Sequence, residues 1–227
     1  MTALPRRQQN RIAKKKRILE AAQTVFASEG YSGATMDAVA TKAGLTKPTL
    51  YQYFASKEAL FAAMMTARRD DMLLAFEAPK QASMVAQLYA FAWAYADTVM
   101  RPDLLSLARL IIGEAQRFPE IGQTYQASGP DRVLAGMMDY LTAQRDAGRL
   151  VFEDAELAAQ DLWGLILSAP RTLALYQPDD PPARTEVARY LENGLRVFLR
   201  AYSVDAAGDV AELDKVIAAS QSTRPRT

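Results

Sequence analysis

The stretch AGLTKPTLYQYFASKEAL, residues 43–60, decides the fold of the first quarter of the chain. A short amphipathic pattern ends at Gly44, and a second one begins at Thr46 after a tight turn. Pro48 lies in the first turn of this second helix, where its missing N–H costs little because those amides have no helical partner. Two short helices joined in this way predict a helix-turn-helix.

The second of these helices has two different sides. At 100° per residue, Leu50 and Phe54 point in the same direction and are expected to be buried. The other side and its flanks present small or hydrogen-bonding groups, none of them an obvious nucleophile, acid or metal ligand: Pro48, Thr49, Tyr51 and Gln52. A helix with such a first turn fits the major groove of DNA, where base edges offer donors and acceptors.

The composition argues against most kinds of catalysis. None of the 227 residues is Cys or His, so disulfides, the usual zinc sites and the commonest general base are excluded. No glycine loop typical of a cofactor site is found, and we predict no cofactor. An enzyme that binds metal through acidic pairs would need converging carboxylates, and the adjacent pairs Asp70–Asp71 and Asp179–Asp180 lack partners at helical spacing. The sequence therefore favours a binding protein over an enzyme.

Charge is distributed unevenly along the chain. Residues 1–57 hold ten Lys/Arg and three acidic residues, whereas the remainder holds 17 basic and 23 acidic residues. A basic head on an acidic body is typical of proteins that bind a polyanion. The arm RRQQNRIAKKKR, residues 6–17, is expected to follow a DNA backbone or a minor groove. It lacks the bulky apolar face that peripheral membrane binding needs.

Helical periodicity continues almost throughout, and we find no convincing strand, so the predicted fold class is all-α. The first helix is expected to begin at about residue 10, and Thr35, Thr46 and Ser56 are expected to cap the next three. Pro79 is the expected seam between head and body. The predicted domains are a basic arm (1–11), a helix-turn-helix domain (12–62), a ligand-binding and dimerisation domain (63–203) and a tail with a short helix (204–227). Neither a signal peptide nor a membrane-spanning pattern is visible, so the expected location is the cytoplasm.

The first part of the chain resembles the TetR/AcrR regulators over residues 12–62. The resemblance is carried by Thr35, the Met36–Ala43 helix, the turn Gly44-Leu45-Thr46, and the run from Thr49-Leu50-Tyr51-Gln52-Tyr53-Phe54 to Ser56-Lys57-Glu58-Ala59-Leu60. It implies a homodimeric repressor that binds a palindromic double-stranded DNA operator and is released by a small-molecule effector. The same fold acting as an activator, or without a ligand, is the alternative reading.

The resemblance also implies which residues contact DNA. Those expected at or near the major groove are Thr46, Lys47, Pro48, Thr49, Tyr51 and Gln52. Those matching phosphate-contacting positions are Thr35, Tyr53 and Lys57. Lys47 departs from many relatives, which carry a small or uncharged residue there, and it is expected either to read guanine or to hold a phosphate.

The second part of the chain supplies the expected effector site. The segments LARLIIGEAQRFPEI (107–121), AGRL (147–150) and AAQDLWGLIL (158–167) look like the AefR-like class of TetR C-terminal domains. The candidate ligand-binding residues are Tyr89, Trp93, Met100 and Arg109. Arg109 stands in an otherwise uncharged run, so it is expected to reach the surface, pair with a carboxylate or meet an anionic ligand. Gly113 in the same helix suggests close packing there.

The last two long helices, near 154–176 and 183–202, occupy the dimerisation position of this family. They carry more apolar surface than one small body needs, and Gly164, Ser168 and Ala169 would allow close approach of helices. The residues expected at the dimer interface are Leu165, Ser168, Leu191, Leu195 and Phe198.

Overall fold

The computed structural model describes residues 5–73 and 82–222. Within them the regular structure is helical, and one isolated antiparallel bridge joins Leu150 to Ser203. This confirms the all-α prediction. The helices are α1 (Arg6–Gly33), α2 (Met36–Lys42), α3 (Lys47–Tyr51), α4 (Lys57–Leu73), α5 (Met84–Val99), α6 (Pro102–Glu114), α7 (Pro119–Ser128), α8 (Pro130–Asp146), α9 (Ala155–Tyr176), α10 (Arg184–Tyr202) and α11 (Ala206–Ser222).

The boundaries follow the predicted signals except at the start of the chain. Helix α1 begins at Arg6 rather than near residue 10, so most of the basic arm is helical. The ordinary helix geometry of α1 stops at Gly30, whose φ of 72° lies in the left-handed region that glycine tolerates best. The predicted seam at Pro79 lies outside the described residues. No helix among the described residues is long and apolar enough to cross a membrane.

The chain forms two compact units, and the first is discontinuous in sequence. It combines the described part of Met1–Arg69 with Pro102–Pro130, so α6 and α7 pack with the first three helices and the start of α4. An aromatic cluster lies at its centre: the rings of Phe26 and Phe61 are 5.5 Å apart, and Tyr31 lies 5.3 Å from Phe61 and 5.5 Å from Phe118. These edge-to-face contacts add to the free energy gained by burying the rings.

Helix α6 is held against α1 by both polar and apolar contacts. Gln23 donates from Nε2 to the carboxylate of Asp103 at 2.9 Å, and Gln23 is almost fully buried. Leu107 and Ile111 are buried in the same core as Phe26. The core of the first unit is therefore completed by residues that come more than forty positions after the end of the predicted helix-turn-helix domain.

The second unit contains α5 and α8–α11 around one large apolar core. Helices α9 and α10 pack directly against each other. At their crossing, a Cβ built on Gly194 would lie 2.6 Å from the carbonyl carbon of Leu165 and 2.9 Å from the amide nitrogen of Ile166. Only glycine leaves the two backbones room to approach this closely.

Candidate nucleic-acid interface

The turn between α2 and α3 is built from backbone hydrogen bonds around one glycine. The amide of Leu45 donates to the carbonyl of Ala40 at 2.9 Å, and Gly44 has a φ of 62°. A residue with a side chain would be strained in that left-handed conformation. The turn therefore fixes the angle at which α3 leaves α2.

Helix α3 is short and is anchored from one side only. Leu50 is fully buried and Phe54, just after the helix, is nearly so, as the helical wheel predicts. The other side faces solvent: Thr46, Lys47, Pro48, Tyr51 and Gln52 are exposed, and Thr49 is half-buried. The hydroxyls of Thr46 and Thr49 lie 2.9 Å apart and share a hydrogen bond. Thr46 occupies the N-cap position, but its side chain bonds Thr49 rather than a backbone amide.

Lys47 is held by a partner that the sequence did not reveal. Its Nζ lies 2.9 Å from Oδ2 of Asp37, in the first turn of α2. This hydrogen bond and the attraction of Asp37 raise the pKa of Lys47. Both side chains are more than half exposed, so the pair is weakly held and can be replaced by a contact to a base or phosphate. Periodicity cannot predict this pair, because a ten-residue separation across a turn has no periodic signature.

Two hydroxyl side chains cap α2 and α4, the helices on either side of α3 in the chain. The Thr35 hydroxyl accepts from the amide of Ala38 at 3.1 Å, and the Ser56 hydroxyl accepts from the amide of Ala59 at 3.2 Å. Both caps confirm the sequence prediction. The remaining amides of these first turns give the surface a positive potential that suits phosphate groups.

Comparison with known proteins agrees with this geometry. Residues 18–64 match the family described as bacterial regulatory proteins, tetR family, and residues 86–204 match the AefR-like transcriptional repressor, C-terminal domain. A TetR-family regulator from Mesorhizobium loti, 30% identical, superimposes with a TM-score of 0.72 over 85% of this chain and 98% of its own. The flavonoid-responsive regulator FrrA, 31% identical, gives a TM-score of 0.71 over the same shares. This chain belongs to the TetR family of transcriptional regulators.

The curated relatives share only a short stretch with this TetR-family chain. The transcriptional activator FasR of Mycolicibacterium smegmatis is 40% identical over 70 residues, and the regulator RutR of Escherichia coli K12 is 45% identical over 53 residues. These matches cover 30% and 23% of this chain, and only 32% and 25% of the length of each relative. DNA binding through the helix-turn-helix follows from the family.

Lys57, expected to contact phosphate, is already engaged within this TetR-family head. Its Nζ donates to the backbone carbonyl of Tyr31 at 2.7 Å and of Ala34 at 3.3 Å, and it lies 4.6 Å from the Tyr31 ring centroid. Burial, followed by the negative charges of Glu58 and Glu120, raises the pKa of Tyr31 to about 12. Lys57 therefore ties the end of α1 to the start of α4. Tyr53, the other expected phosphate contact after α3, is half-buried.

The residues expected to bind an effector belong to different units. Tyr89 and Trp93 are buried on α5 and Met100 is half-buried at its end, all in the second unit. The Tyr89 hydroxyl shares a hydrogen bond with Ser220 at 2.8 Å, and the guanidinium of Arg184 lies 4.2 Å from the Trp93 ring centroid. Arg109 belongs to the first unit, where its Nη2 donates to the Ser106 hydroxyl at 3.1 Å.

The residues expected at the dimer interface divide into two groups. Leu165 is 36% exposed and Ser168 is also exposed. Leu191, Leu195 and Phe198 are at most 1% exposed, because they fill the core of their own subunit. For these three the expected surface role is corrected: their apolar pattern on α10 reflects packing against α9 and α5, and it leaves no side-chain surface for a partner.

Within the described residues, no cluster of three acidic side chains is placed to hold a metal ion.

Proposed function

We propose that this chain is a homodimeric repressor that binds a palindromic operator and is released by a small molecule. The observation that carries the DNA-reading part is the solvent-facing side of α3, which is fixed from behind by Leu50 and Phe54. A rigid polar helix of this kind presents its groups to base edges with little loss of freedom on binding. The proposed site of action is the cytoplasm, because that is where bacterial DNA lies.

The proposed contacts to DNA fall into three groups. Lys47 and Gln52 are exposed and have side chains that match guanine and adenine edges, so they are proposed to read bases. Thr46, Pro48, Thr49 and Tyr51 are proposed to shape the surface that enters the groove. Thr35 and Tyr53 are proposed to hold phosphates, which position the protein without reading sequence. Lys57 is proposed to add a phosphate contact through the N–H that its bonds to the carbonyls of Tyr31 and Ala34 leave over.

Sequencing of genomic DNA fragments retained by the purified protein tests the central proposal. We expect an enriched inverted repeat, protected in footprinting. Lys47→Ala and Gln52→Ala should each change the preferred base at one position, with about 1–3 kcal/mol of lost discrimination at a good contact. Lys215→Ala, an exposed lysine on α11, serves as the control and should leave preference unchanged. The proposal fails if no sequence is enriched.

Dimerisation is proposed to use the exposed stripe of α9. Leu157, Leu165 and Tyr176 are 62%, 36% and 81% exposed, and they recur at intervals that place them on one side of the helix. Small exposed residues lie between them, namely Gly164, Ser168 and Thr172. An apolar stripe with small residues suits close packing against the same stripe of a second copy.

Sedimentation of two charge variants tests this interface. Leu165→Lys should give a monomer at micromolar concentration, because a charge in the centre of the stripe would be buried without a partner. Val151→Lys, at a position 61% exposed and outside α9 and α10, should remain a dimer. A wild-type chain that sediments as a monomer, or a Leu165→Lys variant that stays dimeric, contradicts the proposal.

The effector is proposed to bind in the second unit against Tyr89, Trp93 and Met100. The rings of Tyr89 and Trp93 are buried on α5, and the Tyr89 hydroxyl forms a hydrogen bond there. Arg184 stacks on Trp93 and pairs with Asp97, with Nη2 and Oδ2 3.2 Å apart, so it is proposed to form the rim. Arg109 belongs to the first unit and is left out of this site.

Since FrrA is named as flavonoid-responsive, flat polyphenols are the first compounds to screen by thermal shift. An effector of this kind should fail to bind Trp93→Ala. It should also lower operator affinity 5–150-fold, which is the range of a coupling free energy of about 1–3 kcal/mol.

An activator is the second candidate, and it is favoured by one comparison, the activator FasR. A reporter gene placed behind the enriched operator separates the two. Deletion of the regulator raises expression if it represses and lowers expression if it activates.

A further inference from the structure

The first three turns of α1 carry a cationic face that continues the buried face of the same helix. Ile18, Ala22 and Val25 pack into the core of the first unit. Toward the N-terminus, the positions that fall on the same side at helical spacing are Arg7, Arg11 and Lys14, and all three are exposed. The helix therefore projects past the core and turns a basic side toward the end of α3.

This basic side forms one wall of a groove of about 750 Å³. Gln52 and Tyr53, at the end of α3, contribute to its other wall, and no carboxylate lines it. Among the described residues, none of the groove's three cations forms an ion pair. The groove is thus a concentrated positive site that is continuous with the proposed reading surface through Gln52.

We propose that this groove holds the sugar–phosphate backbone of duplex DNA that flanks the bases read by α3. The inference rests on the proposed function and extends its site outward. Guanidinium groups bind phosphate through paired N–H donors, so two arginines on one face suit a run of phosphates. Arg7 to Lys14 spans seven residues, roughly 10 Å of helix, which corresponds to about 3 base pairs.

The helical state of this segment selects the backbone over the minor groove. An α-helix with side chains is roughly 10–12 Å across, whereas the minor groove of B-DNA is only about 6 Å wide. A segment that is helical from Arg6 therefore lies across the phosphates instead of entering the groove. The contact is consequently insensitive to the sequence of the flank.

The experiment compares two double variants of the full chain with equal loss of charge. Arg7→Gln/Arg11→Gln removes two cations of the groove. Arg6→Gln/Lys16→Gln removes two exposed cations that point about 100° and 180° away from Arg7 on the helical wheel. Binding is measured by fluorescence anisotropy between 50 and 200 mM salt on a 40-base-pair mixed-sequence duplex, and on the retained operator with flanks of 2, 5 and 10 base pairs.

The groove variant is expected to flatten the log–log salt slope by about 1.8 per subunit, at about 0.9 for each lost phosphate contact. As salt rises from 50 to 200 mM, the ratio of wild-type to variant affinity should therefore fall roughly tenfold per subunit. It should also bind the short-flank and long-flank operators alike, whereas wild type and the control variant bind the longer ones more tightly. Circular dichroism of both variants should match that of the wild type, which checks that they are folded.

Three results would overturn the inference. The control variant could lose as much slope as the groove variant, which would mean that the effect is general charge. The flank effect could depend on A·T content, which would indicate a minor-groove contact. Flotation with phosphatidylserine vesicles could depend on Arg7 and Arg11 while the mixed-sequence duplex does not, which would assign the groove to a membrane. Failure to retain any operator refutes the proposed function, and the mixed-sequence duplex still tests the groove.

Discussion

Gly194 lies where α10 crosses α9, and its replacement by alanine tests how tightly the second unit is packed. The added Cβ would lie 2.6 Å from the carbonyl carbon of Leu165, and the carbonyl oxygen is closer still. Favourable contact between carbon atoms needs about 3.5–4.0 Å. Both obstructing atoms belong to backbone, so no side chain can rotate away, and α10 must move off α9 by about 1 Å.

The cost follows from what this movement does to neighbouring side chains. Leu191, Leu195 and Phe198 flank the crossing and are at most 1% exposed. A gap of 0.5–1 Å loses a quarter to a half of a dispersion contact, and overpacking typically costs about 1–3 kcal/mol. Alanine regains about 1 kcal/mol of helix propensity over glycine. We therefore expect Gly194→Ala to lower the free energy of unfolding by about 2 kcal/mol, which lowers Tm by roughly 4–8 °C for a chain of this size.

Urea unfolding followed by circular dichroism at 222 nm measures this difference. Gly113→Ala is the matched control, because a Cβ built there meets nothing within 4 Å. It should stabilise the protein by about 0.5–1 kcal/mol through helix propensity alone. If Gly194→Ala is as stable as wild type, or gains as much stability as the control, then the backbones of α9 and α10 do not approach each other as closely at Gly194 as described.

The remaining predictions concern single side chains. Lys57→Met should lower the free energy of unfolding by about 1–2 kcal/mol, since two backbone carbonyls lose a charged donor; unchanged urea unfolding would contradict this. Thr35→Ala should lower the free energy of unfolding by about 1 kcal/mol, because a helix cap is lost. Thr46→Ala should lower it clearly less, because the Thr46 hydroxyl caps no amide. Equal losses in the two variants would refute the distinction. Burial raises the pKa of Tyr140 to about 12, above the ordinary value near 10 of the unfolded chain, so its contribution to stability is complete below pH 10 and is lost as the pH rises toward 12. Tyr140→Phe should show a shallower fall in Tm over that range, and an identical fall would exclude Tyr140 as a source.

Helix positions were largely readable from the sequence because each helix carries its own signals. The caps at Thr35 and Ser56 and the helix end at Gly44 all act over a few residues. Helix α1 starts about four residues before the predicted position, because a run of like charges does not by itself prevent a helix. Arg, Gln and Lys form helices well, and nothing in residues 6–10 interrupts one.

Contacts between distant helices were less predictable. A glycine inside a helix predicts close packing at Gly113, but Gly113 is exposed and a Cβ built there would meet nothing within 4 Å. The close crossing is at Gly194, which has no special local pattern. Periodicity identifies which face of a helix is apolar, but not whether that face meets its own chain or another. Leu195 illustrates this, since it lies on the apolar face of α10 but is buried in the core of its own subunit. The pairing of Lys47 with Asp37 is likewise invisible to periodicity, because it depends on the angle that a turn sets between two helices.

The discontinuous first unit limits how such regulators can be recombined. A chimera made by joining residues 1–62 to the body of another regulator would carry the reading helix but would leave behind Leu107, Ile111 and Ile121, which complete its core. It would also lose Phe118, which packs on Tyr31, and the exposed aromatic surface would have to be covered by whatever the new body supplies. The portable module is therefore two segments, Met1–Arg69 and Pro102–Pro130, and exchange of operator specificity is more safely done by grafting the solvent-facing side of α3 alone.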